Sequence, residues 1–95
     1  TGIYAVWYPI QDQATADQFC RRAQRLGLPR TLRVELCVLA DEPLRLNGSG
    51  MILVNPPWQL DTALQDTLPW LWETLSVDGQ GGWRVDWLNG EGRGD

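Results

Sequence analysis

The stretch Gly50-Met51-Ile52-Leu53-Val54-Asn55-Pro56-Pro57-Trp58 decides the fold. Met51 to Val54 is apolar at every position, so a strand here needs cover on both faces and belongs inside a sheet. Pro56 and Pro57 have no N–H to give to a ladder and end the strand at once. Upstream, Thr31 to Leu39 alternates, with Leu32, Val34, Leu36 and Val38 on one side and Arg33 and Glu35 on the other. That pattern predicts a strand with one face partly wet, as at a sheet edge. The polar loop Ala40 to Gly50 joins the two without a helix, so Met51–Val54 returns antiparallel beside Thr31–Leu39.

The remaining elements arrange themselves around this pair. Ile3 to Tyr8 is another strand apolar on both faces, ended by Pro9. Asp12 to Leu26 has helical spacing, with Ala16, Phe19, Cys20, Ala23 and Leu26 on one face. Thr15 and Gln18 suit a capping box, and Gly27 with Pro29 beyond it suits a stop. Strand, helix and strand then form a right-handed parallel crossover. The predicted order is Ile3–Tyr8, then Met51–Val54, then Thr31–Leu39 at the edge. Leu60 to Leu75 is helical in period, with Leu64, Leu68, Leu71 and Leu75 as the buried stripe. Pro69 inside it predicts two short helices or a kink. A turn at Asp78–Gly82 leads to a last strand, Trp83–Leu88, in which Trp83, Val85 and Trp87 share a face; its pairing is left open. Residues 89–95 read as a flexible tail. The fold class is therefore α/β: a three-stranded mixed core plus a final strand, with flanking helices, in one partial domain over residues 1–95. Ile3–Tyr8 keeps an apolar unpaired edge, which natural sheets avoid. The chain starts at Thr1, inside a strand. A missing upstream strand, or a second copy of the chain, is the expected neighbour of that edge.

Composition narrows the chemistry. The 95 residues contain no histidine, which removes His-based triads, His general bases and most zinc sites. Cys20 and Cys37 lack metal spacing and read as free thiols of a cytoplasmic protein. The acids Asp61, Asp66 and Glu73 are spaced as a helix surface, not as a metal cluster. No apolar run is long enough for a membrane helix. There is no lysine; all eight cations are Arg, six of them between Arg21 and Arg45. A net charge of −4 argues against this chain being a nucleic-acid grip by itself. Arg21, Arg22 and Arg25 fit either a solvated helix face or a phosphate contact.

Asn55, Pro56, Pro57 and Trp58 have the residue types that amino-methyltransferases use on a nucleobase. An asparagine oxygen and a proline-fixed carbonyl accept hydrogen bonds from the amine, and the aromatic ring stacks on the flipped base. The competing reading is a rigid strand exit. Ligands of open α/β sheets sit at the carboxyl ends of the parallel strands. An antiparallel Met51–Val54 carries Asn55–Trp58 to the opposite edge. The groups on the ligand side become Trp7, Tyr8 and Pro9, with Ser49 and Gly50 from the loop entering the third strand. No glycine-rich strand–turn–helix for S-adenosylmethionine is present; Gly79–Gly82 follows a helix and precedes a strand. No cofactor is expected on this chain alone.

The chain resembles the carboxy-terminal part of the RlmJ-type 23S rRNA adenine-N6-methyltransferases, a family also labelled as involved in catabolism of external DNA. The similar segments are Thr1-Gly2-Ile3-Tyr4-Ala5-Val6-Trp7-Tyr8-Pro9, Val34-Glu35-Leu36-Cys37-Val38-Leu39, Gly48-Ser49-Gly50-Met51-Ile52-Leu53-Val54-Asn55-Pro56-Pro57-Trp58 and Leu68-Pro69-Trp70-Leu71. The resemblance implies a Rossmann-like, S-adenosylmethionine-dependent parent that methylates an adenine amine of large-subunit rRNA. The family's catalytic Asp-Pro-Pro-Tyr motif and cofactor residues lie upstream of the segment similar to Thr1, so no catalytic or cofactor residue is carried over. Trp7 and Tyr8 are expected to wall the base pocket, and Ser49 and Gly50 to approach the RNA. Trp58, Trp70, Trp72, Trp83 and Trp87 are expected in packing roles.

Overall fold

The computed structural model describes residues 3–39 and 46–89. The elements are β1 (Tyr4–Ile10), α1 (Gln13–Arg25), β2 (Thr31–Cys37), β3 (Gly48–Val54), α2 (Leu60–Leu75) and β4 (Gly82–Asn89). They form a four-stranded sheet in the order β1-β3-β2-β4. Every neighbouring pair is antiparallel. β3 opposes both β1 and β2, so those two strands share a direction with β3 inserted between them. The predicted crossover and the central place of β3 are therefore present. The predicted mixed pairing is not: among the described strands no parallel neighbours meet.

A second difference concerns β2, which is not an edge. β4 pairs along its outer side, with Arg33 opposite Asp86 and Glu35 opposite Arg84. Of the charges that suggested a wet face, Arg33 is paired within the sheet and Glu35 is buried. Arg33 donates from Nε and Nη2 to the two Asp86 oxygens at 2.9 and 2.8 Å. This two-pronged geometry is the strong form of a charge-assisted bond. The Asp86 bonds push the Arg33 pKa above its ordinary value, against the opposing effect of burial.

β3 begins at Gly48 rather than Met51, and β1 runs through Pro9 to Ile10. Pro9 is tolerated because β1 is an edge strand, where one N–H can be missing from the ladder. α1 starts one turn before the predicted capping box: the Asp12 carboxylate accepts from the Thr15 N–H at 2.7 Å. This bond holds the Asp12 carboxyl below the usual range. Gly27, at φ 70°, closes the helix, its N–H donating to the Gln24 carbonyl. α2 is continuous through Pro69. One missing helix bond does not divide it, because the adjacent Leu68 is buried where α2 packs on β4 and β2.

The two connections β1–α1–β2 and β3–α2–β4 both skip one strand and run in opposite strand directions. Right-handed crossovers of that kind place α1 and α2 on opposite faces of the sheet. The core on the α1 face is Tyr8, Ile10, Ala16, Cys20 and Ile52, with Ala23, Cys37 and Leu88 packed against it. Leu26 and Leu75, predicted as core, are exposed, and so are Trp58 and Trp70. They sit at helix or strand ends or on the outer side of α2, beyond the reach of the sheet. β1, predicted to be covered on both faces, leaves Tyr4, Val6 and Trp7 exposed within this chain. Both cysteines are free. Among the described residues no helix is long and apolar enough to cross a membrane, and no cluster of metal-ligating residues occurs. Asn89 closes β4; the rest of the predicted tail, and the loop residues 40–45, lie outside the described residues.

Candidate functional site

The β1–β3 ladder gathers the five residues expected on the substrate side. Trp7 pairs with Met51, Tyr8 with Gly50 and Pro9 with Ser49. Strand alternation then divides them between the two faces. Trp7, Pro9 and Ser49 point away from α1. All three are exposed, Trp7 by 58%. α2 does not cover them, because its strand contacts go to β4 and β2. They form an open platform of a large aromatic ring, a rigid pyrrolidine and a hydroxyl.

Tyr8 and Gly50 lie beneath that platform, on the α1 face. Tyr8 is buried, and its ring lies across Gly50 so closely that a Cβ there would stand 2.2 Å from the ring carbon Cζ. The Tyr8 hydroxyl donates to Glu35 Oε2 at 2.6 Å. It also accepts from the Cys20 thiol at 3.4 Å. Gln13 Nε2 donates to Glu35 Oε1 and to Asp17 Oδ1, both at 3.0 Å. Phe19 tilts against the Tyr8 ring, with centroids 5.0 Å apart. Burial, above all, then the bonds to Cys20 and Glu35, push the Tyr8 phenol well above its ordinary pKa. The phenol is thus a neutral donor, locked in place.

Glu35 was not singled out from the sequence, where it read as the wet side of an alternating strand. It is 3% exposed. The register puts it opposite Gly50 and Arg84 and two residues from Arg33, in a buried polar row that the sequence did not show. That row ends in a cavity of about 280 Å³ at the carboxyl ends of β1 and β2, lined by Gln13, Glu35, Asn47 and Arg84 among others. Asn47 is buried, and its amide donates to the Gln11 carbonyl. Arg84 Nη1 stands 3.5 Å from Asp17 Oδ1. The cavity walls therefore carry both a carboxylate and a guanidinium. A second hollow, about 480 Å³, runs along the outer edge of β1 toward α1, between Val6, Trp7, Thr15 and Phe19.

Asn55, Pro56, Pro57 and Trp58 lie at the other end of the sheet, since Val54 pairs with Tyr4 and Thr31 at the amino ends of β1 and β2. Asn55 takes φ 58°, a left-handed conformation that asparagine tolerates. Its Oδ1 accepts from Arg30 Nη1 at 3.2 Å, and its N–H donates to the Arg30 carbonyl at 2.9 Å. Arg30 in turn lies over the Trp87 ring, 5.9 Å from the centroid. Pro56 is buried, while Trp58 is 80% exposed. The stretch acts as a clasp between the exit of β3 and the start of β2. The described residues do not fit a cradle for S-adenosylmethionine. α1 opens on the acidic Asp12 and α2 on Gln59, and no glycine-rich turn leads from a strand into either helix.

Comparison with known proteins gives a consistent set. The sequence family described as Ribosomal RNA large subunit methyltransferase D, RlmJ, matches residues 1–89. Ribosomal RNA large subunit methyltransferase J of Haemophilus influenzae is 37% identical over 92 residues, covering 96% of this chain and 33% of that protein. The protein of the same name from Escherichia coli is 38% identical over 89 residues, covering 93% of this chain and 32% of its own length. The crystal structure of protein LPL1258 from Legionella pneumophila superposes with a TM-score of 0.73 at 28% identity, over 92% of this chain and 32% of that one. The chain thus spans about a third of the length of the proteins it matches.

Proposed function

This chain belongs to the RlmJ family of ribosomal RNA large subunit methyltransferases, and we propose that it forms the substrate side of such an enzyme. The parent protein, in this reading, is a cytoplasmic enzyme that transfers a methyl group from S-adenosylmethionine to the N6 amine of an adenine in 23S rRNA. This chain is its carboxy-terminal portion and completes a Rossmann-like sheet. The observation that carries the reading is the bare β1 edge. Tyr4, Val6 and Trp7 are exposed along a strand that has no outer neighbour among the described residues. An upstream strand of the parent could pair along Tyr4–Tyr8, up to the point where Pro9 ends the ladder.

The residues have separate tasks in this proposal. Trp7 offers a ring for a base to stack on, Pro9 stiffens the wall, and the Ser49 hydroxyl reaches the nucleic acid. Tyr8, held by Glu35 and pressed on Gly50, fixes the height of that platform. The methyl donor supplies an electrophilic carbon when bound, and its binding residues belong to the upstream part of the parent. Asn55 serves as a clasp, as its bonds to Arg30 support.

The test uses the parent protein with S-adenosylmethionine and large-subunit rRNA, digested to nucleosides and read by mass spectrometry. N6-methyladenosine is the expected product. Trp7→Ala should lower kcat/KM by about fivefold or more, as expected for one base–aromatic stack worth roughly 1–3 kcal/mol. Methylation at another atom, or an unchanged Trp7→Ala enzyme, would overturn the assignment. Calorimetric titration of this chain alone with S-adenosylmethionine should show no heat; saturable binding would return Asn55–Trp58 to consideration as an active site. The bare edge also suits a second reading, a strand-addition module. Symmetric dimerisation through β1, abolished by a proline at Val6, would favour it.

A further inference from the structure

The net charge of −4 hides a division of charge between the two helical layers. Arg21, Arg22 and Arg25 are exposed and lie within an arc of about 100° on α1, at 3.6 residues per turn. The same spacing places them on the side of the helix away from the buried Ala16 and Cys20. No carboxylate partners any of the three among the described residues.

The described acids on this side of the sheet are all engaged elsewhere. Asp12 caps α1 and Asp86 holds Arg33. Asp17 faces the sheet, bonded to Gln13 and close to Arg33 and Arg84. Glu35 is buried under Tyr8. The other described acids, Asp61, Asp66, Glu73 and Asp78, belong to α2 and the turn after it, on the opposite face. The outer surface of α1 is therefore a small cationic patch on an acidic molecule. Attraction of Arg22 and Arg25 to the helix C-terminal dipole accounts for two of these residues. It accounts neither for Arg21 nor for the lack of a neutralising acid among the described residues.

We infer that the outer face of α1, through Arg21, Arg22 and Arg25, is a phosphate-backbone contact for RNA. The inference rests on the proposed rRNA substrate for its choice of polyanion. Guanidinium groups suit this role because their planar donors match two phosphate oxygens at once. Such contacts hold and orient the RNA without reading its sequence. They would act at a distance from the Trp7 platform, so they contribute to binding and not to the chemical step.

The experiment measures affinity of the full parent protein for a large-subunit rRNA fragment, without S-adenosylmethionine, across salt concentrations. Each phosphate contact adds about 0.7 to 0.9 to the slope of log K against log salt. Replacing all three residues, as Arg21→Gln, Arg22→Gln and Arg25→Gln together, should lower the slope by about 2 to 3. Between about 50 and 200 mM salt, the unmodified protein should then lose about 20- to 40-fold more affinity than the variant. The matching triple Lys variant should keep the slope, because the charges remain. In turnover, KM for RNA should rise and kcat at saturating RNA should stay the same. Circular dichroism melts should coincide, as the three side chains are exposed. If the triple Gln variant fails to fold, Arg21→Gln alone should lower the slope by about 0.7 to 0.9. Equal slopes for the unmodified and Gln proteins would overturn the inference, whatever the methylation assay shows. A parent that methylates no adenine, yet shows the slope change, would sink the proposed reaction and leave this contact standing.

Discussion

Removing the Tyr8 hydroxyl tests the physical account of the platform most directly. Tyr8→Phe keeps the ring on Gly50 and deletes one atom. That atom donates at 2.6 Å to a carboxylate that is 3% exposed. Hydrogen bonds to charged groups contribute about 1.5–3 kcal/mol, and the buried partner left short of a donor adds to the loss. A destabilisation of about 2 kcal/mol follows. In urea denaturation of the parent protein, this lowers the midpoint by about 1 M for a slope near 2 kcal/mol/M. Glu35→Gln and the double variant complete a cycle, whose coupling should exceed about 1 kcal/mol because the groups touch. The pH dependence has a defined sign. The folded-state pKa of Tyr8 is raised, so the native state holds the phenol proton more tightly than the unfolded chain does. The contribution is complete below the unfolded value near 10 and is lost as pH rises beyond it. The unmodified protein should therefore weaken above about pH 10 by more than Tyr8→Phe does. A loss under about 0.5 kcal/mol, a coupling near zero, or parallel alkaline limbs would refute the reasoning.

Three further outcomes follow from the same geometry. Gly50→Ala drives a methyl group into the Tyr8 ring at 2.2 Å; overpacking of this kind costs roughly 1–3 kcal/mol, and Gly50→Ala combined with Tyr8→Ala should cost less than the two changes summed, in thermal or urea unfolding. Asn55→Ala loses the Arg30 bond and strains a left-handed position, so unfolding free energy should fall by about 1–2 kcal/mol with kcat of the parent little changed; a collapse of kcat at full stability would make Asn55 catalytic after all. Asp12→Ala should destabilise the protein at neutral pH. The native carboxyl pKa is lowered by the Thr15 bond, so the contribution is present above the unfolded value near 3.9 and fades as pH falls through the folded one. Acid-side melts of the two proteins should therefore converge.

Much of the sheet was legible in the sequence because the signals were local. An all-apolar Met51–Val54 needs two neighbours, and a helix-free loop after Thr31–Leu39 makes one of them antiparallel. Together these place β3 between β1 and β2 and send Asn55–Trp58 to the far edge of the sheet, which the register matches. Helix α1 was equally readable from its spacing and its glycine stop. The cap was misplaced by a turn because Asp12 and Thr15 are both good cap residues, and only the backbone geometry chooses between them.

What the tertiary structure alone decided concerns residues distant in the chain. The partner of β4 was unreadable, because Arg33 and Asp86 lie 53 residues apart and charges on an alternating strand look solvated until a partner is known. Glu35 looked exposed for the same reason. The sequence put Trp7, Tyr8 and Pro9 together on the ligand side; in the sheet, strand alternation divides them, and which side faces solvent depends on the placement of α1 and α2. The side of β1 that α1 covers buries Tyr8, and the side that α2 fails to reach leaves Trp7 open. Local patterning determines strands, helices and their parity, because those depend on near-neighbour covalent geometry. Burial and charge pairing depend on long-range packing, and that made the candidate platform and its buried support visible.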